Sequence, residues 1–185
     1  MCTLTTDELI TYCVAENKRF VQEVQIAVSP LSSEQLNQAM PNGDWSIARV
    51  LQHMILANSM YLEILPPLIA SAESGSSDLR HTWFGKALIK IAGPKGNVAA
   101  PSQMVPDDKQ YGESILDEWV AQQNTAIELM ISAKGKNLNQ LRFKNPFLRL
   151  FTMNVSDTFA IMTTHTDRHF RQILERVIVA SLLPG

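Results

Sequence analysis

The chain has 185 residues, 45 % hydrophobic and 18 % charged, with 16 basic side chains against 18 acidic ones and a formal charge of −2. This length predicts one domain over residues 1–185 with a core of its own, and the apolar content excludes disorder as the main state. The charge balance argues against a nucleic-acid partner, and no run of Lys and Arg points to a membrane surface.

The opening Met1-Cys2-Thr3-Leu4 lacks the basic and apolar regions of a secretory signal, and Asp7 and Glu8 follow at once. Cys2 and Cys13 form no CxxC pair, so a cytoplasmic, reduced protein is expected. The longest apolar runs, such as Ile64 to Ala70, are too short to span a bilayer and are interrupted by Pro66 and Pro67.

Helical periodicity dominates the chain in four long stretches. The first runs from about Thr6 to Val28. It starts at a capping box of Thr5 and Glu8, and it carries Leu9, Cys13, Phe20, Val24 and Ala27 on one face. Ser29-Pro30 ends it. A helical turn near Ser33–Ala39 follows, then the turn signal Pro41-Asn42-Gly43. The second stretch starts at an N-cap, Ser46, and runs to about Leu65, where Pro66-Pro67 bends or stops it. Its stripe includes Val50, Leu51, Met54, Asn58, Tyr61 and Leu65. A short helix is expected near Thr82–Ile91, inside a long connection punctuated by Pro94, Gly96, Pro101 and Pro106. The third stretch runs from about Glu113 to Ala133, with Gly135 as its C-cap. After a connection through Asn145-Pro146, the fourth runs from about Val155 to Leu182, opened by Asn154 and Asp157. Four amphipathic helices with almost no strand pattern predict an all-α four-helix bundle with long crossover connections. The low charge content and the apolar end (Val177, Ile178, Val179, Leu182, Leu183) predict a homodimer.

Of the four histidines, His53, His165 and His169 fall inside predicted long helices, whereas His81 falls in the irregular connection and reads as a surface or capping residue. His165 and His169 are four apart, so their directions differ by roughly 40° and both sit at one edge of the apolar stripe. Arg168, Arg171 and Glu175 point away from it. His53 lies at the edge of the second helix's stripe. Imidazoles so placed on two packed helices can meet at a divalent metal with a coordination position left open, or they can be packed histidines bonded to backbone. Sharper motifs are absent. There is no HExxH, no GxSxG and no P-loop, which excludes a zincin, a hydrolase elbow and a P-loop NTPase, and no Glu-x-x-His, which argues against a ferritin-like di-iron bundle. Asp167 lies on a different face from His165. Gln172, three residues after His169, is placed to line the site. Trp45 reads as packing at a helix entry. Tyr61 and Met60 are candidates to line a cavity beyond His53, and Trp83 and Phe84 to roof it.

The segment Asp44-Trp45-Ser46-Ile47-Ala48-Arg49-Val50-Leu51-Gln52-His53-Met54 resembles the second-helix motif of the DinB-like superfamily. The superfamily includes YfiT-type metal hydrolases and metal-dependent thiol S-transferases. His165-Thr166-Asp167-Arg168-His169-Phe170-Arg171-Gln172-Ile173 resembles its last-helix motif. Arg49 departs from the pattern, standing where relatives often carry an acidic capping residue. The resemblance implies a bundle whose metal ligands are His53, His165 and His169, at its open end. The metal would be nickel or zinc, with iron or manganese as alternatives. It also implies a small-molecule substrate, with a thiol as one candidate, and hydrolysis or thiol S-transfer as the reaction. The motif places no carboxylate as general base. The competing expectation is a non-catalytic bundle that binds a small ligand or acts as a dimeric interaction protein.

Overall fold

Thr5 starts the first helix by the exchange its spacing with Glu8 predicts. Its hydroxyl accepts from the Glu8 N–H at 3.2 Å, and the Glu8 carboxylate accepts from the Thr5 N–H at 2.7 Å. Helix α1 then spans Thr6–Val28. The structure, a computed structural model, describes residues 4–96 and 98–181. Met1, Cys2, Thr3, Leu182 and Leu183 lie outside the described residues.

A short α2 (Ser33–Asn37) is capped by Ser32, and α3 (Ile47–Ala70) is capped by Ser46. Pro66 and Pro67 were expected to bend or stop α3 near Leu65, but the helix runs on for more than a turn. Both prolines lie on its exposed face, where water can take the carbonyl bonds that a proline nitrogen cannot donate. Helix α4 (Trp83–Ala92) begins at Thr82, and α5 covers Ser114–Ser132. Gly135 takes φ +73 just beyond α5, and its N–H donates to the Asp7 carboxylate in the first turn of α1. The connection that follows, through Asn145-Pro146, holds an antiparallel ribbon of β1 (Arg142–Lys144) and β2 (Thr152–Asn154), with Phe143 opposite Met153, where almost no strand pattern was expected. Helix α6 (Val155–Ser181) starts at the same kind of reciprocal exchange, between Asn154 and Asp157.

Contacts at the two ends establish the topology. At one end the Thr6 N–H meets the Ser77 carbonyl just past α3, Gly135 meets α1, and the Val155 N–H meets Leu141. At the other end the Asn37 side chain pairs with the Tyr111 backbone ahead of α5, Gln35 reaches Ala180 at the end of α6, and Arg176 donates to the Trp45 carbonyl. So α1 and α6 run one way and α3 and α5 the other. Helices α1 and α3 each pack against both α5 and α6. The antiparallel neighbours α3 and α6 thereby bring the first half of α3 beside the second half of α6.

Two apolar clusters stack along the bundle. One holds Leu65, Met130 and Phe159, and the other Leu51, Trp119 and Phe170. Buried polar side chains interrupt the packing between them: Asn17, Gln123, Thr163 and Thr166, together with His53 and His169. Asn17 donates to Thr163 across α1 and α6 at 2.8 Å. Cys13 is fully buried, as its place on the apolar face predicts. Among the described residues, no helix is long and apolar enough to cross a membrane.

His81 does not stand free on the surface. Its Nδ1 lies 2.9 Å from the fully buried Asp157 carboxylate, which also accepts from the Thr82 hydroxyl and N–H and from the Asn154 N–H. One carboxylate thus joins the starts of α4 and α6. Gly85 is required beside it, because a Cβ there would run into that carboxylate.

Asp157→Asn is expected to lower the unfolding free energy by about 2–4 kcal/mol, since it leaves buried donors without their acceptor. Gly85→Ala should act in the same direction. Asp167→Asn, which loses only an exposed pairing with Arg171, should cost less than about 0.5 kcal/mol. Urea titration of the three variants checks the ranking.

Candidate metal centre

The geometry of α3 and α6 brings His53, His165 and His169 together. His53 is the seventh residue of α3, and the other two occupy successive turns of α6. The Nε2 atoms of His53 and His165 are 3.1 Å apart, and those of His165 and His169 are 3.0 Å apart. The outer nitrogens of the first and last rings are engaged. His53 Nδ1 is 2.7 Å from the Met104 carbonyl, and His169 Nδ1 is 2.8 Å from Gln172 Oε1. Both partners are acceptors, so both Nδ1 atoms carry the proton and both Nε2 lone pairs face inward. His165 can place one N–H between them, which answers only one of the two.

A cation answers all three lone pairs at once. Ligand nitrogens at about 2.0–2.1 Å from one ion, at angles of 90–109°, lie roughly 2.9–3.4 Å apart. The observed separations of 3.0 and 3.1 Å fall in that range. These three histidines can hold a metal ion. They are also kept in the neutral form that binds metal. Burial lowers the pKa of His53 below its usual range. His165 is held well below it by burial and by the two neighbouring imidazoles, and His169 is lowered to about 3 by burial first and His53 second. The Arg168 charge pushes all three in the same direction.

The three rings line a cavity of about 800 Å³ in the groove between α3 and α6. Its lining runs from Gly43 and Asp44, ahead of α3, along the facing sides of α3 and α6. Leu88 and Ile91 of α4, Val98 and Val105 of the crossover, and Ile161 and Met162 of α6 make its apolar walls. The crossover is pinned over α3 by Arg49, which pairs with Asp108 at 3.0 Å and donates to the Pro106 carbonyl at 3.3 Å. The residue that departs from the family pattern thus fastens the outer wall. Ser46 keeps its capping role alone, accepting from the Arg49 N–H.

Other expectations divide. Gln172 lines the cavity and bonds His169 directly. Tyr61 lines it too, and so does Trp45, whose ring sits 5.0 Å from that of His53. Met60, Trp83 and Phe84 do not border it: Trp83 is exposed, and Phe84 is buried against Phe151. Arg168 was expected to point away from the stripe, yet it lines the cavity between the two α6 histidines. It has no hydrogen-bond or ion-pair partner among the described residues. Asp167 turns instead to Arg171. Of the apolar C-terminal residues, Val177 packs on the core and Ile178 is exposed.

Compared with known families, residues 18–173 match the DinB superfamily. No curated protein and no solved structure matches the chain with significance.

Gln172→Leu removes the acceptor that orients His169 and should weaken zinc binding about 10- to 100-fold, as read by competition titration. The metal-free protein should also be acid-sensitive. Its folded imidazoles titrate below their unfolded value, so stability is full above about pH 6.5 and is lost as pH falls toward the lowered values. His169→Phe, scanned by urea titration between pH 7.5 and 5, should flatten that slope.

Proposed function

From the chain's membership of the DinB superfamily, we propose that this protein is a divalent-metal-dependent enzyme that activates a small nucleophile, with thiol S-transfer favoured over hydrolysis. The observation that supports this most directly is the set of three converging imidazole nitrogens with one cavity beside them. An ion held there lowers the pKa of a water or thiol bound to it and so supplies a nucleophile at neutral pH. A donor set of three neutral nitrogens without thiolate suits zinc or nickel, with iron or manganese as alternatives.

The remaining chemistry belongs to the chain. Met104 and Gln172 fix the tautomers and directions of His53 and His169, and they make those rings more basic ligands. Arg168 brings an unpaired positive charge beside the cluster, suited to an anionic substituent or to negative charge that develops in the reaction. Asp44, the only carboxylate on the cavity wall among the described residues, is engaged by Asn42 and Arg176. With no free carboxylate to act as general base, a nucleophile that ionises readily is favoured. A thiol, with an ordinary pKa near 8.5, needs a far smaller shift than water at about 15.7.

The test uses a thiol and an activated aryl chloride. The sulfur displaces chloride at the ring carbon, and the thiol proton passes to buffer. The metal-loaded protein should accelerate this reaction, and a chelator or His53→Ala should abolish the acceleration. Chelation should also lower the melting temperature of the wild-type protein but not that of His165→Ala. Turnover that survives both chelator and His53→Ala would contradict the assignment.

A further inference from the structure

The cavity continues past the histidines along α3, and its far end carries polar groups that the proposed chemistry does not use. Asn58 and Tyr61 both line it, at 2 % and 4 % exposure. They follow His53 by five and eight residues, which places them roughly 8 and 12 Å along the helix axis. The Asn58 amide has no hydrogen-bond partner among the described residues. The Tyr61 hydroxyl oxygen accepts from Asn145 Nδ2 at 3.1 Å, so its own proton is left to donate elsewhere. Asn145 is itself 1 % exposed, and its Oδ1 accepts from the N–H groups of Phe147 and Leu148. That turn holds the Tyr61 hydroxyl in one orientation.

We propose that Asn58 and Tyr61 form a second docking point, selecting substrates whose apolar body ends in an uncharged amide or carbonyl group. The inference rests on the cavity being a substrate site, as proposed above. Together the two side chains offer a hydroxyl donor, an amide donor and an amide acceptor, which is the complement of a primary amide. Left unmet, such buried groups cost free energy, so a ligand that pairs them is preferred over an apolar one. A carboxylate is disfavoured there. The cationic side chains on the cavity wall, Arg168 and Arg176, stand at the histidine end, and burial already pushes the Tyr61 phenol up to about 12. A substrate that reacts at the histidine end would therefore reach the amide pair through an apolar stretch, past Ile161 and Met162.

The experiment uses the metal-free full-length chain at pH 7.5, with hexanamide and hexanoate as probes. Binding of either probe to each variant is followed by saturation transfer from protein to probe in ligand-observed NMR, and in the wild-type chain also by the nitrogen–proton signal of the Asn58 side chain. Hexanamide should shift that signal saturably and bind at least tenfold tighter than hexanoate. Asn58→Leu should remove the preference, and Tyr61→Phe should reduce it. Cobalt uptake at the histidines, read by absorption, should stay unchanged in Asn58→Leu and so report an intact fold. Equal binding of the two probes, no binding of hexanamide, or a preference that survives Asn58→Leu would overturn the proposal. The two readings fail separately: cobalt uptake without amide preference removes the subsite alone, whereas amide preference without cobalt uptake removes the metal assignment alone.

Discussion

The imidazole nitrogen of His165 is held within hydrogen-bonding distance of those of both His53 and His169, with too few protons to go round. The Met104 carbonyl and Gln172 Oε1 take the outer N–H groups of His53 and His169, which turns two lone pairs inward onto a third ring. Neutral imidazoles so placed repel, and protonated ones would be charged in a site that burial has made hostile to charge. A divalent cation, which the three histidines could hold, would resolve the conflict.

The bundle places the three rings through its topology. With α1 and α6 running against α3 and α5, helices α3 and α6 are antiparallel neighbours. Crossing from α3 to α5, which run in the same direction, takes a chain long enough to return along the whole bundle. That return segment is part of the site. It supplies the carbonyl that orients His53, walls the cavity with Val98 and Val105, and is pinned through Arg49. Two apolar clusters above and below carry the packing, which lets a polar layer sit between them. At the start of α6, Asp157 gathers His81, Thr82 and Asn154, so α4 and its share of the cavity wall are fastened to the helix that carries two of the three histidines.

Much of this was legible in the sequence, and the rest was hidden for physical reasons. Helical period and capping boxes located the four long helices to within a few residues, except where solvent-exposed prolines let α3 continue. The histidine spacing identified the converging side chains, because a four-residue step on one helix and a stripe-edge position on another are local properties. Met104 was invisible, since it acts through a backbone carbonyl that any residue could supply. His81 looked like a surface residue because its partner Asp157 is 76 positions away. Arg168 was sent outward by a stripe argument that assumed an apolar neighbour, whereas its neighbour is a cavity. Asn58 and Asn145 read as stripe and turn residues. Asn145 reaches Tyr61 only because the loop after β1 folds back over α3.

X-ray absorption spectroscopy of the zinc-loaded protein tests the central claim most directly. The account predicts three nitrogen scatterers at about 2.0–2.1 Å with the outer-shell pattern of imidazole rings, falling to two in His165→Ala. A shell dominated by oxygen or sulfur, or one unchanged by His165→Ala, would contradict it.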